Sequence, residues 1–152
     1  MAHTTQADAA EVPCATDVHR VEVAHVNGDA YEVDVRGHRL LVDQPVEAGG
    51  TDVAPTPTEM FAASLAACVA FCVGRYLDRH NLSRRGLRVR TEFTMATDSP
   101  PRIDALRVML TPPPALSAQR HATLLAVASH CTVHNTLRKP PTVVLALGSQ
   151  DT

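Results

Sequence analysis

The longest apolar stretch of the chain runs from residue 60 to residue 73, where no side chain is charged. A helix-start signal precedes it: Thr56 stands at the capping position, Pro57 follows, and Glu59 lies three residues after Thr56. Charged residues return in the last turns, and Asn81 can end the helix in a left-handed conformation. We therefore predict a long central helix and expect it to be buried all round, because its middle is apolar on every side.

Alternation of apolar and polar side chains predicts strands before and after this helix. Asn27, Gly28 and Asp29 form a sequence typical of a hairpin turn, and Gly37 is expected to mark a bulge or bend. Near Ala105 the alternation slips in phase, which indicates a bulge. The predicted strands span residues 20–26, 31–36, 40–42, 87–96, 102–110 and 142–147.

A second helix completes the predicted set of elements. Ser117 can cap this helix, and Pro140 and Pro141 close the segment before the last strand, a continuous apolar run typical of a buried sheet position. The order β-β-β-α-β-β-α-β predicts an α+β domain with helices packed on a mainly antiparallel sheet. We expect one domain at residues 19–150, preceded by a mobile tail at residues 1–18.

Composition and charge narrow the class of protein. The 152 residues are 45% hydrophobic, enough for a sizeable core. The net charge is −2 and the isoelectric point is near 6.4, so nucleic acid and membrane surfaces are not expected partners. The uncharged apolar stretch is shorter than the roughly 18 residues that span a bilayer. Residues 1–12 lack the pattern of a signal or transit peptide, so we expect a cytoplasmic protein.

Cysteines are the candidate reactive groups, since cytoplasmic cysteines more often serve redox or metal chemistry than structural disulfides. Cys68 and Cys72 lie on one face of the predicted helix, about 5–6 Å apart, which is too far for a disulfide. Cys131 lies near the end of the second helix, and Cys14 is expected to be incidental in the tail. Peroxide reduction needs one thiol that becomes a sulfenic acid and a second that condenses with it to a disulfide.

Four segments carry a resemblance to a known family: Gly49-Gly50, Pro55 to Glu59, Ala63 to Cys68, and Cys131 to Leu137 followed by two prolines. Together they resemble the OsmC/Ohr family of thiol-dependent hydroperoxide reductases, roughly over residues 33–147. The resemblance implies an OsmC-like fold in an intertwined homodimer, with long central helices between sheets and active sites at the subunit interface. It also implies a two-cysteine peroxidase that acts on organic hydroperoxides without a cofactor and is reduced by small or lipoyl-type dithiols.

The resemblance assigns the peroxidatic role to Cys68 and the resolving role to Cys131. Burial raises the pKa of a thiol, so Cys68 needs a cation beside it. Residues 43–57 contain no arginine, which leaves Arg36 and Arg39 as the candidates. The alternation of side chains along the strands favours Arg39, because it places Arg39 on the face of the sheet that also carries Tyr31. This holds provided that the glycine between the two strands does not shift the alternation.

Glu59 is the candidate acidic partner of that arginine. It lies nine residues before Cys68, about 13.5 Å along a helix, so we expect it to act through an arginine or across the dimer, if it does more than cap the helix. This spacing resembles a third, less characterised OsmC-like branch. The predicted substrate-binding residues are His134, Phe61 and Ser64.

Two other functions stay open at this point. Cys68, Cys72, Cys131 and His134 form a possible Cys3His zinc set, which metal analysis would test. Alternatively, a non-catalytic dimer binds a hydrophobic or thiol ligand in its interface pocket, which an assay of peroxide-dependent dithiol oxidation would test. Apart from the zinc set, Cys72 is expected only to pack in the core.

Overall fold

The computed structural model describes residues 18–148, so Cys14 and nearly all of the predicted tail lie outside the described residues. Within that range the fold is α+β, with two antiparallel sheets and three α-helices. Two short 3-10 turns lie at Val46–Ala48 and Ala118–Arg120. The main elements are β1 (Glu22–Asn27), β2 (Ala30–Val35), β3 (His38–Val42), α1 (Pro57–Arg79), β4 (Arg88–Met95), β5 (Ile103–Thr111), α2 (His121–Ala128) and α3 (Thr132–Arg138).

Strands β1, β2 and β3 form one sheet through two tight hairpins. Arg36 and Gly37, with φ of 57° and 82°, form the second turn, as the right-handed twist of paired strands requires. Gly37 therefore belongs to a hairpin turn and not to a bulge. Because Asp34 pairs directly with Arg39, Arg39 shares the face of Asp34 and not that of Tyr31. The parity prediction was wrong, since the turn resets the alternation.

Strands β4 and β5 form the second sheet. Thr94 pairs with Ala105 while Met95 pairs with Ile103, so one residue of β5 is unmatched at this point. The predicted slip in phase near Ala105 is therefore a bulge. This sheet packs against α1, which also contacts α2 and α3.

Helix α1 begins as the sequence predicts. The backbone N–H of Glu59 donates to Thr56 Oγ1 over 3.2 Å, and the N–H of Thr56 donates to Glu59 Oε2 over 2.8 Å. These reciprocal bonds complete the predicted capping box. At the other end Asn81 has a φ of 54°, the left-handed conformation expected just beyond a helix.

The prediction that α1 is buried all round was wrong. One stripe enters the core, and it contains Leu65, Val69, Val73 and Leu77. On the rest of the surface Phe61 and Phe71 are 41% and 62% exposed. The described elements contact α1 on one side only, so an apolar composition on all sides does not by itself bring burial.

By length and composition, α1 could also cross a membrane. It has 23 residues, and the 18 residues of its most apolar part have a mean hydropathy of 1.7. The stretch of α1 without a charged residue is shorter than these 18 residues. Of the 18 residues, 39% are buried inside the chain. The stripe that packs on the β4–β5 sheet makes α1 the central helix of the core.

The C-terminal segment departs most from the sequence prediction. The second helix is divided into the turn after Ser117, α2, and α3, which ends at Arg138 just before the predicted closing prolines. Residues 141–148 form no strand, and Leu145 is 93% exposed. The predicted buried strand at 142–147 was wrong, because an apolar run becomes a buried strand only where a sheet edge is available to pair with it.

Candidate active site

Cys131 stands at the N-cap of α3. Its Sγ accepts a hydrogen bond from the backbone N–H of His134 over 3.4 Å, which satisfies one of the N–H groups that a helix start leaves without a partner. The side chain is completely buried. The N-cap position therefore holds the Cys131 sulfur at the beginning of α3, within the core.

Cys68 meets the same turn of α3 from the middle of α1. The backbone N–H of Val133 donates to Cys68 Sγ over 3.5 Å. Cys68 is half-buried, and it packs against the core cluster that contains Cys131. Two consecutive N–H groups of α3 thus bond the two sulfurs. The structure brings together the cysteines that the sequence singled out, both as free thiols.

The surroundings of Cys131 favour its neutral form. Burial is the largest influence and raises the pKa of the Cys131 thiol, while the hydrogen bond from the N–H of His134 acts in the opposite direction. The neighbouring thiols of Cys68 and Cys72 raise that pKa further. Three thiols therefore interact in one region, and Cys131 is held protonated at neutral pH.

The candidate arginines lie elsewhere in the chain. Arg39 lies 3.7 Å from Glu32 and 4.0 Å from Asp34 on an exposed sheet face, and Arg36 lies in the hairpin turn. The β1–β3 sheet makes few contacts with α1. The structure therefore does not bring Arg36 or Arg39 to Cys68 of the same chain, and their role stays a prediction that requires a second chain.

The other predicted site residues occupy two places. Glu59 is bound in the capping box at the start of α1, away from Cys68, and Phe61, two residues farther along, is exposed. Ser64 donates its hydroxyl to the carbonyl of Phe61 over 2.7 Å. His134 donates from Nδ1 to the carbonyl of Ser129 over 2.8 Å. Of these four residues, His134 alone comes from the turn that carries Cys131.

His134, from the same turn of α3 as Cys131, also lines a cavity of about 310 Å³. The remaining lining is largely apolar and comes from α1, β5, α2 and α3, including Leu65, Leu106 and Leu137. Such a cavity suits an apolar group, with the imidazole as one polar contact.

Comparison with known proteins decides the family. A family model described as OsmC-like protein matches residues 49–146, more than half of the chain. This chain belongs to the OsmC-like protein family. No curated protein matches it.

Solved structures show the same fold. An osmotic stress induced and detoxification response protein from Psychrobacter arcticus is 19% identical, with a TM-score of 0.73, covering 81% of this chain and 90% of that one. The organic hydroperoxide resistance protein OsmC of Legionella pneumophila is 22% identical, with a TM-score of 0.60 and coverages of 82% and 91%. OhrB of Bacillus subtilis, an organic hydroperoxide resistance protein, is 17% identical, with a TM-score of 0.60 and coverages of 83% and 94%. At these identities the likeness is one of fold.

One residue that the sequence pattern did not single out organises the loop before α1 in this OsmC-like chain. Asp43, 1% exposed, follows β3 and accepts hydrogen bonds from the backbone N–H groups of Gln44, Thr51 and Val53 and from the Thr51 hydroxyl, at 2.7–3.2 Å. The Thr51 hydroxyl is the largest influence that lowers the pKa of Asp43, to about 2. An acidic residue just before a glycine-rich loop was the available signal.

The zinc alternative receives no support from the OsmC-like site. Within residues 18–148, no three His, Cys, Asp or Glu side chains are arranged to hold a metal ion. His134 directs Nδ1 to a backbone carbonyl. The proposed set of Cys68, Cys72, Cys131 and His134 therefore does not form a zinc site in this structure.

Proposed function

We propose that this OsmC-like protein is a thiol-dependent peroxidase that reduces organic hydroperoxides through Cys68 and Cys131. The observation that carries the proposal is the meeting of the two sulfurs at the first turn of α3. The organic hydroperoxide resistance proteins of Legionella pneumophila and Bacillus subtilis, which share the fold, support the choice of substrate.

The first step takes place at Cys68. Its thiolate attacks one oxygen of the hydroperoxide, the O–O bond breaks, and the alkoxide leaves as an alcohol after taking a proton. Cys68 becomes a sulfenic acid. The N–H of Val133, which donates to Cys68 Sγ, stabilises negative charge on that sulfur.

The second step uses Cys131. Its sulfur attacks the sulfenic sulfur of Cys68, an S–S bond forms, and the hydroxyl group leaves as water with the proton of Cys131. Because burial raises the pKa of Cys131, this thiol carries that proton to the site. A dithiol reductant, small or lipoyl-type, then restores both thiols and closes the cycle.

The cavity beside His134 supports an organic substrate. Its apolar walls, which include Leu106 and Leu137, suit an alkyl group, and burial of each CH₂ contributes about 0.8 kcal/mol. Phe61 and Ser64 do not line this cavity as far as its lining is described. They belong to the exposed face of α1, so a role in substrate binding requires a second chain.

The proposed cytoplasmic protein is a homodimer. Apolar side chains that the single chain leaves exposed support this assembly, because large exposed apolar patches mark interaction sites. They include Phe61 and Phe71 on α1 and Leu145 in the C-terminal segment. In the dimer, Arg36 or Arg39 and Glu59 of one chain would serve the Cys68 of the other.

The non-catalytic alternative has one observation in its favour. Among the described residues, no arginine forms a hydrogen bond or an ion pair at Cys68, which accepts its bond from a backbone N–H. A dimer that only binds a hydrophobic or thiol ligand would use the same apolar cavity without needing an activated thiolate.

Intact-mass measurement separates the two functions. The reduced protein is treated with a stoichiometric amount of cumene hydroperoxide and digested without reduction. Peroxidase chemistry predicts loss of two hydrogens and a peptide pair that joins Cys68 to Cys131. An unchanged mass with full recovery of the hydroperoxide would leave only the binding function.

A further inference from the structure

A second, larger cavity lies between α1 and α2, with a volume of about 520 Å³. Its lining residues include Cys72, Arg75, Arg79 and His130, together with apolar residues such as Val127. None of these four polar side chains takes part in the two peroxidase steps above. The cavity therefore combines a nucleophile with positive charge outside the proposed catalytic pair.

Helical spacing connects this cavity to the reacting thiols. Cys68, Cys72, Arg75 and Arg79 follow one another at intervals of four, three and four residues, which places them on one face of α1. Arg75 lies seven residues beyond Cys68, about 10.5 Å along the helix. Both Cys68 and Cys72 pack against the core cluster that contains Cys131. Along this face of α1, Cys72 thus lies between Cys68 and the two arginines.

The two arginines are available to a ligand. Among residues 18–148, neither Arg75 nor Arg79 forms a salt bridge. The guanidinium carbon of Arg75 lies 5.8 Å from the centre of the ring of Phe71, which belongs to the apolar surface of the proposed dimer. Burial is the largest influence on Cys72 and raises the pKa of its thiol, while Arg75 and Arg79 lower it. An anion that enters the cavity would meet two unpaired positive charges next to a sulfur.

The accessibility of each cysteine sulfur decides where a reductant can attack. Cys131 is completely buried, and Cys68, although half-buried, does not line any of the cavities described for residues 18–148. Thiol–disulfide exchange requires the incoming thiolate to reach a sulfur atom. Cys72 provides the sulfur that lines the α1–α2 cavity.

We propose that Cys72 is the thiol through which reducing equivalents enter this protein, and that Arg75 and Arg79 select an anionic thiol in the cavity beside it. The proposal rests on the proposed peroxidase function for the origin of the disulfide. The binding site itself does not depend on that function.

The catalytic disulfide is reduced in three thiol–disulfide exchange reactions. Cys72 attacks the sulfur of Cys131 in the catalytic disulfide, so that a Cys72–Cys131 disulfide forms and the proton of Cys72 passes to the departing sulfur of Cys68. An anionic thiolate in the cavity attacks Cys72, forming a mixed disulfide and releasing Cys131. The second thiol group of the dithiol reductant, or a second molecule where the reagent is a monothiol such as mercaptoacetate, attacks the mixed disulfide and frees Cys72. Two external thiols lose two electrons and two protons and become one disulfide, while the protein regains two thiols.

A labelling experiment without peroxide tests the site. The reduced full-length protein is mixed with dithiodiglycolate, the disulfide of mercaptoacetate, or with cystamine as the positively charged counterpart, and modified peptides are followed by mass spectrometry. We expect dithiodiglycolate to modify Cys72 first. Arg75→Gln and Arg79→Gln should each slow dithiodiglycolate labelling about fivefold relative to cystamine labelling, because only the anion is attracted by the two arginines. Arg88→Gln, on an exposed position of β4, is the matched control.

Two results would overturn the site: faster modification of Cys68 or Cys131 than of Cys72, or equal sensitivity of both reagents to the arginine substitutions. A second assay tests the relay. Cys72→Ser and Cys72→Ala are oxidised with cumene hydroperoxide, and reduction of the disulfide by mercaptoacetate is then timed. We expect reduction at least about tenfold slower than in the unsubstituted protein, and equal rates refute the relay. If the unsubstituted protein forms no disulfide, the peroxidase and the relay both fail, whereas the labelling result still decides the site.

Discussion

The backbone N–H of Val133 donates to Cys68 Sγ over 3.5 Å, although 65 positions separate the two residues. The next N–H, that of His134, bonds Cys131 Sγ. One turn of α3 therefore holds both sulfurs, and the packing of α3 on α1 determines their approach.

Substitution of the two cysteines should have different effects. Cys68→Ser removes the attacking sulfur and should abolish consumption of cumene hydroperoxide. Cys131→Ser should permit one turnover, after which a second molecule of hydroperoxide oxidises the unresolved sulfenic acid of Cys68 to a sulfinic acid. Intact mass and a hydroperoxide assay measure both effects, with Cys14→Ser as the control. Full turnover by Cys68→Ser would refute the mechanism.

Substrate selectivity should follow the apolar cavity. We expect kcat/KM for an alkyl hydroperoxide to exceed that for hydrogen peroxide at least about tenfold, since burial of two CH₂ groups suffices for that ratio. Leu137 lines the cavity, so Leu137→Ser should reduce the ratio, whereas Val46→Ser at an exposed loop position should not. Equal kcat/KM for both peroxides in the unsubstituted protein would contradict the assignment of this cavity.

Stability should depend on pH through Asp43. Its pKa is about 2 in the folded protein against an ordinary 3.8. The stabilisation that this carboxylate contributes is complete above the ordinary pKa and is lost as the pH falls through about 2. Asp43→Asn should therefore lower the midpoint of urea unfolding at pH 7, and the difference from the unsubstituted protein should narrow between pH 4 and pH 2. A constant difference over that range would show that the charge of Asp43 is not the source of stability.

The loop before α1 should not tolerate a side chain at Gly50. A Cβ atom there would collide with the backbone carbonyl of Gln44, and a backbone neighbour cannot move aside as a flexible side chain can. Gly50→Ala should cost about 1–3 kcal/mol of unfolding free energy, measured by denaturant titration. Gly148→Ala, which has nothing within 4 Å, is the control and should have little effect.

The capping box gives a test of Glu59. Thr56→Ala should cost about 1 kcal/mol of unfolding free energy, because the N–H of Glu59 loses its partner. Glu59→Gln keeps an acceptor for the N–H of Thr56 and should preserve stability to within about 0.5 kcal/mol. If peroxidase turnover falls in Glu59→Gln while stability is kept, Glu59 acts beyond its own helix.

Several parts of the fold could be predicted because they depend on neighbours in sequence. The capping box joins Thr56 to a residue three positions later, and Asn81 ends α1 through its own backbone conformation. The bulge in β5 follows from a slip in alternation that is visible near Ala105. Each of these features is a matter of backbone sterics or of hydrogen bonds within one turn.

Other predictions failed where burial depends on distant surfaces. The apolar run at residues 142–147 has the composition of a buried strand, yet the run itself does not show whether a sheet edge is available to pair with it. The apolar composition of α1 likewise does not say how many sides are covered. The face of Arg39 depends on whether residues 36 and 37 form a bulge or a two-residue turn, and alternation alone cannot distinguish them.

By itself, the sequence determined the central helix, the hairpin strands and the two cysteines through which the chain resembles its family. These features could be predicted because they depend on local spacing and short motifs. Tertiary structure decided that Cys68 and Cys131 meet at the start of α3, that Asp43 organises the loop before α1, and that Cys72 opens into a cavity with two arginines. The reason is physical: hydrogen bonds within a turn depend on adjacent residues, whereas contacts between distant helices depend on how their surfaces pack.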